Sequence, residues 1–301
     1  MQLLTQREPL AAIYDDRSRP RWRRFGLRAV GYGLLLLGVV LYLGPFLLQV
    51  VTSFKTDTDA ANNPLSLVPD PATLDAWRTV GGETTSVPIP LGRWFQNSLV
   101  VTSAITLGRL VLDSLAGYAL ARLRFPGRVV LTAGLLAILA VPGIVLLIPR
   151  FLVLTQLDLF DTYAGMILPL LCDVVGILLM RTAFETVPVE LEEAAIIDGA
   201  GPVRRLWSVA LPLVRPALIT VTILSFQGSW NEFTHFLVAT SDPDLATLNL
   251  GIARLTGGSF YGPSQFPLKL ALATLSTLPI AVVYVFFSRY FTRSIATSGI
   301  K

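Results

Sequence analysis

The sequence contains very few of the residues that build catalytic or metal centres. Among its 301 residues there is one cysteine, Cys172, and one histidine, His235. A single cysteine excludes an intramolecular disulfide and cysteine-based metal sites, and a single histidine excludes the usual zinc clusters. Cys172 lies within an apolar run, so we expect a buried, unreactive thiol. We do not expect His235 to be catalytic, and the sequence favours no enzyme class.

Lysine is nearly as scarce, which bears on nucleotide binding. The chain has only Lys55, Lys269 and Lys301, and none of them follows a glycine-rich loop. Without a G-x-x-x-x-G-K-[ST] motif, the chain cannot hold ATP in a P-loop. We therefore predict that this chain binds no metal and no cofactor, and that any energy from ATP comes from another subunit.

Charged residues are also rare. Only 15% of the residues are charged, 53% are hydrophobic, and the mean hydropathy is +0.63. This composition is too apolar for a soluble globular protein of this length and indicates an integral membrane protein. The net charge of +4 does not indicate nucleic-acid binding, because the basic residues form short clusters beside apolar runs.

Six apolar runs are long enough to cross a bilayer. They cover residues 29–51, 98–119, 129–148, 162–180, 217–239 and 268–287. The first run is too long for the apolar part of a cleaved signal peptide, and the basic segment before it, 1–28, is predicted to be cytoplasmic. We therefore predict an all-α integral membrane protein in which 29–301 forms one domain of six transmembrane helices.

The distribution of lysine and arginine supports this topology. Seventeen of these residues fall in segments predicted to be cytoplasmic and six in segments predicted to be external, while Arg109 lies within the membrane. Cytoplasmic loops of membrane proteins carry such an excess of basic residues. The chain is thus predicted to keep both termini in the cytoplasm.

The segment 181–216 is a polar, helix-patterned stretch between two long apolar runs. Pro188 suits the start of one helix, Gly199 or Gly201 can supply the left-handed residue that ends it, and Pro202 suits the start of a second. Small side chains beside charges of both signs favour a corner that docks onto another protein. The candidate docking residues are Glu193, Ala194, Ala195, Asp198, Gly199 and Ala200. The alternative is an amphipathic connector that lies on the bilayer surface.

Glu-Ala-Ala at 193–195, Gly199 and Leu211-Pro212 resemble the EAA loop of binding-protein-dependent ABC importer permeases. The fuller pattern, EAAxxDGA followed by LPLxxP, is most similar to the carbohydrate-uptake branch and to its maltose-transporter MalG-like subunits. The resemblance implies a type I ABC importer permease fold in which 181–216 is a cytoplasmic coupling loop. It also implies the partners, namely a second, MalF-like permease subunit, a dimeric ATP-binding subunit that holds ATP and Mg²⁺, and an extracytoplasmic solute-binding protein.

The function implied by the resemblance is import of a carbohydrate across the bacterial cytoplasmic membrane by alternating access. The solute would be a mono-, di- or oligosaccharide or a related polyol, and glycerol 3-phosphate stays open as an alternative. The alternative from another functional class is a secondary transporter or channel. It would need inverted repeats and a midplane ion site, and neither is visible in the sequence.

Three charged residues fall inside predicted spans. Arg109 and Asp113 lie four residues apart, so they share one helix face and are expected to pair. Asp173 has no cation one turn away and needs a partner elsewhere. These residues either form a polar wall of a transport pathway or make structural contacts between helices.

The fifth apolar run is interrupted by the sequence FQGSWNE. Polar groups at membrane depth must face a cavity, a partner subunit or water. A tryptophan ring and an asparagine amide suit sugar recognition, and related permeases have a similar Trp-Asn-Glu sequence. The candidate pathway residues are Gln227, Trp230, Asn231 and Glu232. The alternative is an interfacial tryptophan with polar capping residues near the outer surface.

Overall fold

The computed structural model describes residues 21–83, 89–257 and 265–298, apart from the side chains of 21–28, 256 and 288–298. Most of the predicted N-terminal segment and the last three residues therefore lie outside the described residues. Within these ranges every regular element is a helix, which confirms the all-α fold.

The helices in chain order are α1 (Arg21–Thr52), α2 (Asp57–Asn62), α3 (Asp75–Val80), α4 (Leu91–Arg122), α5 (Arg128–Leu139), α6 (Leu147–Gln156), α7 (Tyr163–Ile167), α8 (Val174–Glu185), α9 (Val189–Ile197), α10 (Pro202–Arg205), α11 (Leu211–Leu213), α12 (Arg215–Asn231), α13 (Thr234–Ala239), α14 (Leu248–Gly257) and α15 (Phe266–Ser298). Tighter turns occupy Gly143–Leu146, Leu168–Leu170 and Pro243–Leu245, and a π-helical turn occupies Leu206–Ala210.

Three of the described helices, α1, α4 and α15, are long and apolar enough to cross a bilayer unbroken. Three further crossings are possible if each of three bent helix pairs spans the membrane once. The described residues therefore supply between three and six crossings. Of the long helices, α1 packs chiefly on α15, where Gln49 Nε2 donates to Thr274 Oγ1 at 3.2 Å.

Two of the predicted spans are bent in the structure. In the third run, α5 ends at Leu139, and the segment Gly143–Gln156 turns away from it by 96°. Pro142 has no N–H to continue the helix, which explains the stop. In the fourth run, Tyr163–Leu170 and Val174–Glu185 meet at 43°. Because the residues at these breaks are mostly apolar, hydropathy alone does not reveal them.

The fifth predicted span, 217–239, also contains more than one helix. α12 begins at an 87° bend from Pro202–Leu213 and ends at Asn231. The short α13 follows, and the side chain of Glu232 accepts a hydrogen bond from the N–H of His235 at 2.7 Å. The polar interruption noted in the sequence therefore coincides with the end of a helix.

Helix α4 is the centre of the bundle and packs against α8, α12 and α14. Two glycines bring it close to the fourth span. A Cβ atom added at Gly108 would lie 2.4 Å from Leu171 Cδ2, and one added at Gly117 would lie 2.7 Å from Met180 Cβ and 2.8 Å from the Arg181 nitrogen. Small residues allow helix backbones to approach in this way inside membranes. The α4–α8 contact thus depends on Gly117, and Gly108 leaves room for the Leu171 side chain just before α8.

A larger residue at position 117 should force α4 and α8 apart. Overpacking of a tight core costs about 1–3 kcal/mol, so we expect Gly117→Val to lower the melting temperature of the detergent-solubilised protein by roughly 3–10 °C. Gly134→Val is the matched control, because Gly134 lies within α5 and a Cβ there meets no atom within 4 Å. Equal melting temperatures for the two variants would contradict the close contact.

Asp161 joins the loop before α7 to the loop after α13. Its Oδ1 accepts hydrogen bonds from the Thr240 hydroxyl at 2.7 Å and from the N–H groups of Ser241 and Asp242 at 2.6 and 3.0 Å. Partial burial raises the pKa of this carboxyl, but the hydrogen bonds outweigh it and hold the pKa below the usual 3.8. Arg254 strengthens the junction by donating to the Thr240 carbonyl at 2.6 Å.

Because the pKa of Asp161 is depressed in the folded state, its stabilising effect is complete above pH 3.8 and is lost as the pH falls below that value. We expect Asp161→Asn to lower the melting temperature at pH 7 and to reduce the further loss on acidification towards pH ~3. The control is Asp158→Asn, at an exposed position three residues earlier. The same pH dependence of melting temperature in wild type and Asp161→Asn would contradict this role.

Candidate functional site

The corner predicted from the sequence is formed by α9 and α10. Helix α9 begins after Pro188, and the chain reverses at Gly199, whose φ of +78° is the left-handed conformation that favours glycine. The N–H of Gly199 donates to the Ile196 carbonyl at 2.9 Å and that of Ala200 to the Ala195 carbonyl at 2.8 Å, which closes the helix end. Of the two glycines considered, Gly199 therefore ends the helix.

The six candidate docking residues lie together on this corner. Glu193, Ala194, Asp198 and Gly199 are exposed, whereas Ala195 and Ala200 are partly buried. Large apolar side chains beside them are also exposed, and they are Leu191, Ile196, Ile197, Val203 and Trp207. Ile197 is 86% exposed, an unusual state for isoleucine. Exposed apolar side chains among polar ones give this corner the composition of a protein-binding surface.

Glu192 turns inward from the same helix and is only 4% exposed. Its Oε1 lies 3.1 Å from Arg122 Nε, its Oε2 lies 3.8 Å from Arg205 Nη1, and its Oε2 accepts a hydrogen bond from the Tyr118 hydroxyl at 2.9 Å. These four residues form what we call the Glu192 cluster. The charges of this segment therefore do not all lie on its surface, because Glu192 is buried and the Arg205 side chain is only 15% exposed.

The Glu192 cluster connects the corner to the centre of the bundle. Tyr118 and Arg122 are four residues apart at the end of α4, so both reach the same side. The Arg122 guanidinium also donates to the carbonyls of Phe184, in the last turn of α8, and of Val187, just after this helix. One buried arginine therefore holds α4, α8 and α9 together.

The expected ion pair between Arg109 and Asp113 is wrong for the described residues, where no salt bridge joins the two side chains. Arg109 Nε donates to the Leu170 carbonyl at 2.7 Å, and Asp113 Oδ1 accepts the N–H of Asp173 at 3.1 Å. Asp173 caps α8, since its Oδ2 accepts the N–H of Gly176 at 3.0 Å. All three charged side chains thus bind backbone groups of the broken fourth span. The sequence alone does not reveal this break.

The expectation for Cys172 is also wrong, because its side chain is exposed at the break between α7 and α8. A break in a helix can expose a residue that would be buried in an unbroken apolar helix. His235 is buried, and its Nε2 lies 3.1 Å from the Gly165 carbonyl.

The four candidate pathway residues have different surroundings. Trp230 is buried, stacks on Phe226 with a centroid distance of 5.8 Å, and donates from Nε1 to the Ser276 carbonyl at 3.0 Å. Gln227 and Asn231 are exposed on α12, and Glu232 is partly buried. Their role in a pathway stays a prediction.

Comparison with known proteins decides the family. Residues 113–297, more than half of the chain, match the family described as the binding-protein-dependent transport system inner membrane component. The chain belongs to this family. The resemblance inferred from the EAA loop is thereby confirmed, as is the membrane location.

The permease has relatives over almost its whole length. It is 31% identical over 279 residues to the sn-glycerol-3-phosphate transport system permease protein UgpE of Yersinia enterocolitica, covering 91% of this chain and 98% of the relative. It is 30% identical over 270 residues to UgpE of Brucella abortus, covering 88% and 95%.

A solved structure shares the fold of the permease. It is the crystal structure of a bacterial ABC transporter involved in the import of the acidic polysaccharide alginate, with a TM-score of 0.77 and 24% sequence identity over 91% of this chain and 99% of that chain. The type I ABC importer permease fold expected from the sequence is therefore confirmed.

Removal of the Glu192 carboxylate would leave two arginines without a counter-charge, and their side chains are only 12% and 15% exposed. We expect Glu192→Ala to lower the free energy of unfolding of the permease by about 3–5 kcal/mol. The comparison variant is Glu185→Ala, which removes a more exposed pair with Arg181 and should cost about 0.5 kcal/mol. Thermal unfolding in detergent measures both changes.

The same measurement on a double variant separates the ion pair from other effects. Arg122→Ala together with Glu192→Ala should cost less than the sum of the single changes, because the double variant leaves only Arg205 without a counter-charge, whereas Glu192→Ala alone leaves both arginines. Strictly additive losses would contradict the coupling within the Glu192 cluster.

Proposed function

We propose that this permease imports a carbohydrate or a related polyol by alternating access, driven by ATP that partner subunits bind with Mg²⁺ and hydrolyse. The chain itself would have no catalytic site and would cross the bacterial cytoplasmic membrane six times, with both termini inside. The excess of basic residues in the predicted cytoplasmic segments supports this topology. The three unbroken helices and three bent pairs supply enough apolar length for it.

The observation that carries the proposal is the corner of α9 and α10. Its exposed surface combines Glu193, Ala194, Asp198 and Gly199 with large apolar side chains. The buried Glu192 attaches this corner to the rest of the protein. An ATPase subunit that receives this surface in a cleft would move the corner when it closes on ATP. The Glu192 cluster would pass that displacement to α4, because it joins the two elements through buried, short contacts.

The partners follow from the family. An inner membrane component of a binding-protein-dependent system requires a solute-binding protein outside, and a dimeric ATP-binding subunit would dock at the corner. A second, MalF-like permease subunit would cover the apolar faces that this chain leaves exposed at the level of the membrane.

The solute has two candidates. The extended EAA pattern favours a carbohydrate, whereas the identity to UgpE proteins favours sn-glycerol 3-phosphate. Uptake that continues without ATP hydrolysis would instead indicate a secondary transporter or channel. The solute that the co-encoded binding protein retains distinguishes the first two candidates.

Two substitutions test the docking role of the corner in the complex with its partners. Gly199→Leu places a bulky side chain on the surface, and Glu193→Lys reverses its charge. Each should leave the amount of permease in the membrane unchanged, reduce uptake about tenfold or more, and uncouple ATP hydrolysis from transport, since loss of ~1.4 kcal/mol of docking energy weakens binding tenfold.

Gly127→Leu is the matched control for Gly199→Leu. Gly127 also has a positive φ, +86°, and a Cβ at either position meets no atom within 4 Å. The control therefore imposes the same backbone strain in a turn outside the corner. Wild-type uptake in both Gly199→Leu and Glu193→Lys would refute the docking role.

A further inference from the structure

Arg109 lies within a membrane-spanning helix at the junction of three elements. It is carried by α4, its Nε binds the carbonyl of Leu170 at the end of the first half of the fourth span, and its Nη1 lies 3.9 Å from the position of a Cβ on Gly228 of α12. The side chain is partly buried. A cation at this depth is costly unless it meets protein, water or an anion.

Only part of the guanidinium is used by the protein. Its Nε makes the bond to Leu170, while the two terminal nitrogens have no hydrogen-bond partner among residues 21–83, 89–257 and 265–298. Nor does a carboxylate of these residues lie within the 4 Å of an ion pair with Arg109. The two terminal nitrogens can therefore donate to a group from outside the chain.

The carboxylates of Asp113 and Asp173 are directed to the start of α8. Asp113 Oδ1 accepts the N–H of Asp173, and its Oδ2 lies against Gly176, 2.2 Å from the place of an added Cβ. Asp173 Oδ2 accepts the N–H of Gly176. Both carboxylates thus interact with the start of a helix, where the helix dipole favours negative charge.

The surface in front of Arg109 is polar and uncovered by this chain. Gln227, Gly228 and Asn231 lie on one exposed face of α12, and Cys172 is exposed at the break of the fourth span. Cys172 lies between Leu170, whose carbonyl binds Arg109, and Asp173, whose N–H binds Asp113. Polar groups at membrane depth face water or another subunit rather than lipid. The remaining donors of Arg109 therefore open towards a surface that faces water or another subunit.

We infer that Arg109 is an anion-binding residue of the solute pathway, and that the imported solute carries a carboxylate or phosphate group. The inference rests on the proposed transport function and narrows its substrate class. A guanidinium with two free terminal nitrogens can bind such a group in bidentate geometry, which a neutral hydroxyl cannot match. Gln227 and Asn231 then provide amides for the hydroxyl groups of the same solute.

Cys172, the single cysteine of the chain, is a native reporter for the charge of this site. In the reconstituted complex we would compare its modification by an anionic reagent, 2-sulfonatoethyl methanethiosulfonate, and a cationic one, 2-(trimethylammonium)ethyl methanethiosulfonate. Mass spectrometry of the peptide containing Cys172 excludes labelling of partner subunits. Removal of one charge near the thiol should lower the anionic-to-cationic rate ratio about fivefold in Arg109→Gln. Arg109→Lys should retain the wild-type ratio.

Arg93→Gln is the matched control, because it removes the same charge from the same helix about 24 Å away. It should leave the ratio unchanged. An equal ratio in wild type and Arg109→Gln would reduce Arg109 to a structural contact with Leu170 and overturn the inference. Failure of both reagents to modify Cys172 in the complex would also overturn the inference, because the solute pathway would then not include the break in the fourth span.

Uptake by the same complex tests the solute class with two matched pairs, sn-glycerol 3-phosphate against glycerol and an oligogalacturonate against a neutral maltooligosaccharide. We expect the wild-type complex to take up an acidic solute from these pairs. This uptake should fall about tenfold or more in Arg109→Gln and be partly retained in Arg109→Lys. Transport of only neutral members, or unchanged transport by Arg109→Gln, would overturn the inference. A wild-type complex without ATP-dependent uptake of any tested solute would contradict the proposed function instead, and the labelling ratio would still decide the role of Arg109.

Discussion

In a bilayer the backbone N–H and C=O groups of a spanning segment find no water, so each must be paired within the protein. This constraint shapes the permease because several of its apolar runs are broken rather than continuous. Polar side chains from neighbouring segments close the gaps. They are Arg109 on the Leu170 carbonyl, Arg122 on the carbonyls of Phe184 and Val187, Asp173 on the N–H of Gly176, and Asn249 on the Trp230 carbonyl. The breaks are thus stabilised parts of the fold.

Helix α4 supplies two of these four side chains, Arg109 and Arg122. Arg122 at its end holds the corner through Glu192, and Arg109 contacts the broken fourth span. The two arginines are separated by about 20 Å along the helix axis. Gly108 and Gly117 bring α4 close to the fourth span. One unbroken helix therefore contacts both the corner and the break.

The family relation and the structure address different questions. The match over residues 113–297 identifies an inner membrane component of a binding-protein-dependent transport system. It does not identify which charges are exposed for a partner and which are buried for support. That distinction requires the tertiary structure. In α9, Glu193 is exposed, whereas the adjacent Glu192 contacts three polar side chains of the same chain.

The sequence by itself determined the class of the protein, the helical fold and the place of the corner. Long apolar runs must lie in the bilayer, and Pro188, Gly199 and Pro202 limit the local backbone whatever surrounds them. The partners of the charged residues were decided only by the tertiary structure. Tyr118 and Glu192 are 74 residues apart in sequence, and the exposed position of Cys172 depends on a bend that its apolar neighbours do not signal. Hydropathy and helical spacing describe interactions within one helix, whereas these contacts depend on how separate helices break and pack.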